Sequence, residues 1–461
     1  MPEAPRAPSI LNRAALLRGG FGDARRLLVD FLDGLLAEIT PARILNSRVR
    51  LDDTTLYIDD ERIRLEGYRR TFLLGAGKAA YGMTRAFLEA LGKRDVQGFV
   101  FAPEGRFSLA AGVGSGQPGL RRLGANAAQL PPTELIGSLA PFYEDDVVFV
   151  LLSGGASGLL SEPVDGLPLD EKRAVVDLLQ RRGASIHEVN TVRKHLSKLK
   201  GGWLVKALAP AAVVTLAISD VVGNEPDVIG SGPTSPDPTT YWDAIAVLHK
   251  YDVWDQAGPS VRRVLLEGVM GLRGETPKPG NPLFRKCRFH ILADHHTLLE
   301  TAMRVGRGMG LHVTPLTHRL QGEASRLGGW LARLAGWMRG EGVRGSPRLL
   351  VASGESVVTV RGAGVGGRNQ ELALSFALNM PSMRGVSLVS FATDGVDGPT
   401  PAAGALVDEQ ALEMAKGMAL NPEHYLVNND SHTFFSKVQT TIETGPTGSN
   451  LGDLVAILLE A

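Results

Sequence analysis

Uninterrupted apolar strands, each running into a glycine-rich loop and then a helix, constrain this chain more than any other feature. Residues 146–152 read DVVFVLL and open into Ser153-Gly154-Gly155-Ala156-Ser157-Gly158. Residues 211–219 are as continuous and open into Asp220-Val221-Val222-Gly223-Asn224. Residues 70–74 run into Gly75-Ala76-Gly77-Lys78, with a helix expected over 78–91 and a further strand over 96–102. Strands without alternating polar positions are buried on both faces, which calls for a parallel sheet with helices on either side. The rhythm resumes later, with strands expected at 289–292, 312–315, 348–352, 357–360 and 386–392, and helices at 297–309 and 369–378. The fold class is therefore α/β, as two α/β/α domains with mainly parallel sheets. Such sheets take ligands beyond the carboxyl ends of their strands, where these loops lie.

At roughly 100–200 residues per domain, 461 residues hold two or three domains. Residues 271–282 combine Gly271, Gly274 and Gly280 with Pro277, Pro279 and Pro282, so they continue neither helix nor strand. The expected domains are thus 1–270 and 283–461. Lys plus Arg and Asp plus Glu both number 49, a formal net charge of zero, and no block of five or more like charges occurs, which argues against the basic face a nucleic acid requires. The lone Cys287 excludes an internal disulfide framework and points to a reducing compartment. Neither a signal peptide nor a membrane span of about 20 apolar residues is visible. A soluble, cytoplasmic protein with a small-molecule partner is expected, with no nucleic acid and no membrane. Its oligomeric state stays open, a homodimer included.

Gly75-Ala76-Gly77-Lys78-Ala79-Ala80 sits between strand and helix, where main-chain N–H groups cradle an anion. The same pattern fits a dinucleotide fingerprint, with Glu104 at the next strand end as the ribose-binding acid, or only a tight turn. Lys78 inside the loop favours transferable phosphates. Ser153, Gly154, Gly155 and Ser157 make a second anion loop, or a turn needing positive φ. In the stretch that opens at Asn190, the residues Arg193, Lys194, Ser197 and Lys200 fall at helical spacing, as a basic ligand face or a solvated one. Asp220 and Asn224 end a strand and can serve a ribose or a Mg²⁺ water, or merely brace a loop. Glu355 ends another strand. The loop from Gly362 to Gly367 delivers Arg368 to a helix start, to grip a phosphate or carboxylate or to face solvent. Asp394 and Asp397 can converge on a metal or orient a hydroxyl, or only shape a turn. Asn428-Asn429-Asp430-Ser431 reads as a polar ligand loop or a helix cap. Asp294-His295-His296 lacks a third metal ligand at a suitable spacing.

These motifs, in this order, resemble the class-II glycerate kinase family. The stretch 152–233, the run Thr393-Asp394-Gly395-Val396-Asp397-Gly398-Pro399-Thr400 and the ending Thr444-Gly445-Pro446-Thr447-Gly448 carry the resemblance most specifically. It implies a Rossmann-like N-terminal domain, a C-terminal domain containing a MOFRL region at about 347–456, and an active site in the interdomain cleft. It also implies ATP and Mg²⁺ as cofactors, D-glycerate as substrate and 2-phosphoglycerate as product. Lys78 and Arg368 match the family's catalytic basic pair, and Asp394 is expected beside them. Gly75, Gly77, Ser153, Gly154, Gly155, Ser157, Lys200, Asp220 and Asn224 are expected to bind ATP. Asn190, Arg193, Glu355, Asp397, Asn429 and Asp430 are expected to bind substrate, and Asp394, then Asp220, to attend Mg²⁺. Gln117 departs from the family's usual His-Pro element. Relatives also carry hydroxypyruvate reductase names, so an NAD-linked reductase is one alternative. A non-catalytic sugar-phosphate binder is another, though it leaves Asp394, Asp397 and Arg368 without a task.

Overall fold

The computed structural model describes residues 8–18, 23–110, 119–340 and 347–460. Gln117 lies outside them. The chain divides into two compact units, Leu45–Leu292 and Met1–Ile44 with Ala293–Ala461.

The Leu45–Leu292 unit opens with a small antiparallel sheet of β1 (Val49–Asp52), β2 (Thr55–Ile58) and β3 (Glu61–Arg64). Its main sheet contains β4 (Arg70–Ala76), β5 (Gln97–Ala102), β6 (Gly105–Ala110), β7 (Gly119–Arg122), β8 (Asp146–Ser153), β9 (Ala212–Ile218) and β10 (Cys287–Ala293), ordered β10-β9-β8-β4-β5-β6-β7. The parallel pairs β8–β9, β4–β8 and β4–β5 form its centre, and β6 and β7 add antiparallel strands at one end. Every residue of β8 and β9 is buried, as their unbroken apolar sequences require. Phe72, Leu74, Val148, Val150 and Val213 pack in one core, and Phe149 meets Phe87 with ring centroids 4.8 Å apart. Burying one such side chain contributes roughly 1.5–3 kcal/mol. A second core gathers Val175, Leu179, Val192, Leu248, Val261 and Leu265 from the helices that follow β8 and β9.

The second unit is built on a six-stranded mixed sheet of β11 (His312–Glu323), β12 (Arg348–Val357), β13 (Val386–Ala392), β14 (Gly404–Val407), β15 (Thr441–Ile442) and β16 (Asp453–Leu459). Its order is β11-β12-β16-β13-β14-β15. β16 inserts between β12 and β13, antiparallel to both, so Asp453 lies opposite Gly354 on one side and Ala392 on the other. The carboxyl ends of β12 and β13 thus meet the start of β16. Asp294 caps the helix His295–Gly308 through the N–H of Thr297, at 2.9 Å.

The unit boundary differs from the expected linker at 271–282. That stretch stays with Leu45–Leu292: Asp237 donates its N–H to Pro277 O at 2.9 Å, Thr276 Oγ1 donates to Asp237 at 3.0 Å, and β10 then joins the main sheet. The N-terminal 44 residues belong to the other unit. There the helix Asp23–Glu38 buries Leu28, Val29, Phe31, Leu32, Leu35 and Leu36, and Gly306 brings its backbone to within a side chain's reach of Phe31.

Candidate active site

The two glycine loops of the Leu45–Leu292 unit end neighbouring parallel strands, β4 and β8, and are stitched together. Lys78 donates its N–H to Gly154 O at 2.8 Å, and Ala79 donates to Ser153 Oγ at 2.9 Å. Gly77 has φ +129°, and a Cβ there would lie 2.2 Å from Ser153 Oγ and 2.5 Å from Ser153 O. Only glycine permits both the conformation and the approach. Gly155, at φ +84°, faces the Lys78 stem, whose Cγ would be 3.3 Å from an added Cβ. The half-buried Lys78 side chain therefore runs across the second loop. Ser153 is fully buried, with its hydroxyl engaged by Ala79, so it holds the loops together.

Ser157, Ser231, Asn190 and Arg193 form a chain of contacts. Ser157 Oγ and Ser231 Oγ are 2.8 Å apart, Ser231 donates to Asn190 Oδ1 at 2.9 Å, and Arg193 Nη1 reaches the same oxygen at 3.4 Å. Lys200 lies beneath the loop and donates to the carbonyls of Ser157 at 2.7 Å and Leu160 at 2.8 Å. It props the loop from its buried side. Ser231, at positive φ in the run Gly230-Ser231-Gly232 that continues the Asp220 motif, was not among the expected site residues, although its Gly-Ser-Gly setting signals a special backbone. Lys194 is bound by Asp227 at 2.9 Å and Asp237 at 3.3 Å, and His195 by Glu275 at 3.0 Å; both are structural pairs. Asp220 and the positive-φ Asn224 follow β9 and are half-buried. Glu104 is exposed in the turn between β5 and β6, and no helix follows β5 as a dinucleotide fold would require.

In the other unit, Arg368 begins the helix Arg368–Asn379. Its Nε and Nη2 contact the two oxygens of Asp453 at 2.7 and 2.9 Å, and Nη1 meets Glu355 at 2.7 Å. Burial works to lower the guanidinium's pKa, but Asp453 and Glu355 outweigh it and hold the pKa above its ordinary value. Asp394 follows β13, buried, with its carboxylate accepting the N–H of Val396 at 3.0 Å. Thr393 Oγ1 donates to Gly452 O at 2.7 Å, which ties Asp394 to the start of β16. Glu355, Arg368, Asp394 and Asp453 are thereby gathered at one end of the sheet. Asp453 was not singled out in the sequence. Its signal there is an acid immediately before an apolar strand.

Three residues expected to meet substrate make hydrogen bonds that support this loop. Asp397 accepts the N–H groups of Asn369 at 3.0 Å and Gln370 at 2.9 Å, so its carboxylate anchors the helix that carries Arg368. Burial pushes the Asp397 carboxyl's pKa up even though those N–H groups favour its charge. Gly367 has no room for a side chain beside Asp397, since a Cβ would be 2.3 Å from Asp397 Cγ. Asn429 Oδ1 accepts the N–H groups of Arg361 and Gly362, and Asp430 accepts that of Val365. Short polar residues serve as loop staples and as ligand contacts with the same composition, and only the fold separates the two roles. Among the described residues, no three His, Cys, Asp or Glu side chains gather as a metal-binding group. Likewise, no helix among them is long and apolar enough to cross a membrane.

Comparison with known proteins agrees with this architecture. Residues 27–266 match a domain of unknown function, DUF4147, and residues 348–453 match the MOFRL family. A Thermotoga maritima protein named D-glycerate 2-kinase is 37% identical over 85% of this chain and 91% of its own length. A Pyrococcus horikoshii protein named glycerate 2-kinase is 32% identical over 95% of this chain and 98% of its own. A crystal structure of glycerate kinase from Thermotoga maritima superposes with a TM-score of 0.70 at 32% identity, covering 94% of this chain and 99% of that one. An Agrobacterium vitis relative, 36% identical over 85% of this chain and 87% of its own, instead carries hydroxypyruvate reductase in its name. Two α/β units, together with these relatives, define a class of two-part small-molecule enzymes. The chain belongs to the class-II glycerate kinase family, with its MOFRL domain.

Proposed function

We propose that this protein is an ATP-dependent kinase that phosphorylates D-glycerate on its 2-hydroxyl. The observation that carries the reading is the stitched pair of glycine loops at β4 and β8, with Lys78 laid across the second loop. Two adjoining anion loops with a cation at their junction suit a polyphosphate better than a single phosphate. Gly75, Gly77, Gly154, Gly155 and Ser157 shape the nucleotide cradle on this reading, with Asp220 and Asn224 beside it. Ser153 and Lys200 hold its backbone in place.

In the reaction the 2-hydroxyl oxygen of glycerate forms a bond to the γ-phosphorus as the bond to the β–γ bridging oxygen breaks. ADP leaves, and the hydroxyl proton passes to a base, for which Asp394 is the candidate. Lys78 and Arg368 act on the negative charge of the transferring group, which preorganised cations stabilise more in the transition state than in bound ATP. Asp453 and Glu355 orient Arg368, while Asp397, Asn429 and Asp430 fix the loop that carries it. Mg²⁺ would arrive with ATP and neutralise phosphate charge. A hard cation that keeps several waters needs few protein carboxylates, which suits Asp394 first and Asp220 second.

The reductase name of one relative sets up the test. Glycerate-dependent release of ADP from Mg-ATP, with no NADH oxidation in the presence of hydroxypyruvate, is the expected result. The reverse pattern would replace the kinase with an oxidoreductase.

A further inference from the structure

Three cations of the Leu45–Leu292 unit share a neighbourhood that no carboxylate closes. Lys200 is buried and its ammonium donates only to the carbonyls of Ser157 and Leu160 among its described bonds. Lys172, on the helix Leu169–Arg181, is equally buried and donates to Glu162 O at 3.2 Å. Arg193, on the helix Ile186–His195, is half-buried and among the described residues reaches only Asn190 Oδ1, at 3.4 Å. Among the described residues none of the three lies within 4.0 Å of a carboxylate oxygen.

The nearby acids are otherwise occupied or distant. Glu162 accepts from the Thr133 N–H at 2.9 Å and its hydroxyl at 2.6 Å, and Lys198 sits 3.6 Å away. Asp177 acts on Arg193 only through space. The cations therefore work against one another. Burial, then the charge of Arg193, lowers Lys172 to about 7, with Glu162 opposing the shift. Burial, then Lys172 and Arg193, holds Lys200 well below its usual value. A buried ion without a counter-ion is costly, and proteins retain such groups chiefly at functional sites. The chain of hydroxyls from Ser157 through Ser231 to Asn190 ends on Arg193, beside the second glycine loop.

We propose that Lys172, Arg193 and Lys200 form a receptor for an oxyanion, either a carboxylate or a phosphate group, which enters beside Arg193 and supplies the missing counter-charge. The assignment rests on the kinase reading, since both substrates of that reaction carry oxyanions, and it gives Lys172 its first role. Arg193 grips the anion directly, and the two lysines raise the potential behind it. A bound anion also favours the charged form of Lys172, so binding near neutral pH takes up protons.

Calorimetry on the full chain at about pH 7 tests this, with inorganic tripolyphosphate and D-glycerate titrated separately in two buffers of different ionisation enthalpy. At least one probe should bind with proton uptake. Lys172→Met and Arg193→Lys should each weaken that probe by roughly tenfold or more, the loss expected for one charge-assisted contact. The affected probe tells whether phosphate or carboxylate is the natural occupant. Unliganded Lys172→Met should melt no lower than the parent, because it removes an uncompensated charge while keeping the aliphatic stem. Unchanged affinity for both probes in both variants, or no binding of either probe to the parent, overturns the proposal. If anion binding behaves as expected but glycerate-dependent ADP release is absent, the kinase reading fails alone. If ADP release persists while both variants bind as the parent does, the receptor fails alone.

Discussion

Arg368 meets Asp453 side-on, Nε to one carboxylate oxygen at 2.7 Å and Nη2 to the other at 2.9 Å. Because Nη1 also contacts Glu355, the guanidinium plane is fixed by two acids before any ligand is considered. Asp453→Asn keeps the shape and removes the charge that sets this plane. It should lower kcat roughly tenfold or more while leaving the KM for ATP nearly unchanged. Asp453→Glu should recover part of the loss. Steady-state kinetics with each substrate varied separately checks this, and a change confined to KM would make Asp453 merely structural.

Lys78→Ala and Arg368→Ala should each lower kcat by roughly 10²–10³-fold, the scale of one preorganised transition-state donor. The double variant should be little slower than either single one, because groups acting as a unit are not additive. Removing Arg368 also takes from the buried Asp453 the cation it pairs with, so the thermal midpoint should fall, whereas Arg368→Lys retains charge without the fork. An unchanged kcat in Arg368→Ala, with only the KM for glycerate raised, would reduce Arg368 to a carboxylate clamp.

Gly77→Ala should force the two glycine loops apart. The new Cβ would overlap Ser153 at a backbone φ of +129°, a strain costing about 1–3 kcal/mol. The expected signs are a lower thermal midpoint together with a raised KM for ATP. A variant that keeps both parental values would show that the stitch between the loops does not shape the nucleotide site.

The strap from residue 271 to 282 supplies a pH-dependent term. Burial tends to raise the pKa of Glu275, but contact with His195 and the N–H of Thr276 outweighs it and holds the carboxyl at about 2, against an ordinary 4.5. The depressed value means that the unfolded chain binds the proton more readily. The stabilisation is thus complete above about 4.5 and is lost as pH falls from there toward 2. Thermal midpoints measured across that window should decline less steeply in Glu275→Gln than in the parent.

Much of the architecture was legible in the sequence because continuous strands such as β8 and β9 admit few alternatives. The loops at their ends were equally visible, since Gly77 and Gly155 mark conformations that other residues resist. Polar partnerships were not. Asp397, Asn429 and Asp430 read as candidate ligand contacts, and nothing in their sequence announced that they also hold the loop from residue 361 to 367 and the helix behind it. Nothing in the sequence sets Lys172 apart from other lysines, and only the fold buries it within electrostatic reach of Arg193 and Lys200. Nor does an amphipathic helix declare which sheet it will cover, so the membership of Asp23–Glu38 in the second unit had no local mark.

The central claim is a phosphoryl transfer to the 2-hydroxyl of glycerate. It is tested most directly by incubating the protein with Mg-ATP and D-glycerate and identifying the product by phosphorus and carbon NMR. The account predicts a phosphoester coupled to carbon 2, formed in step with ADP. A phosphoester on carbon 3 would contradict the assigned position, and unaltered glycerate in the presence of folded protein would contradict the kinase itself.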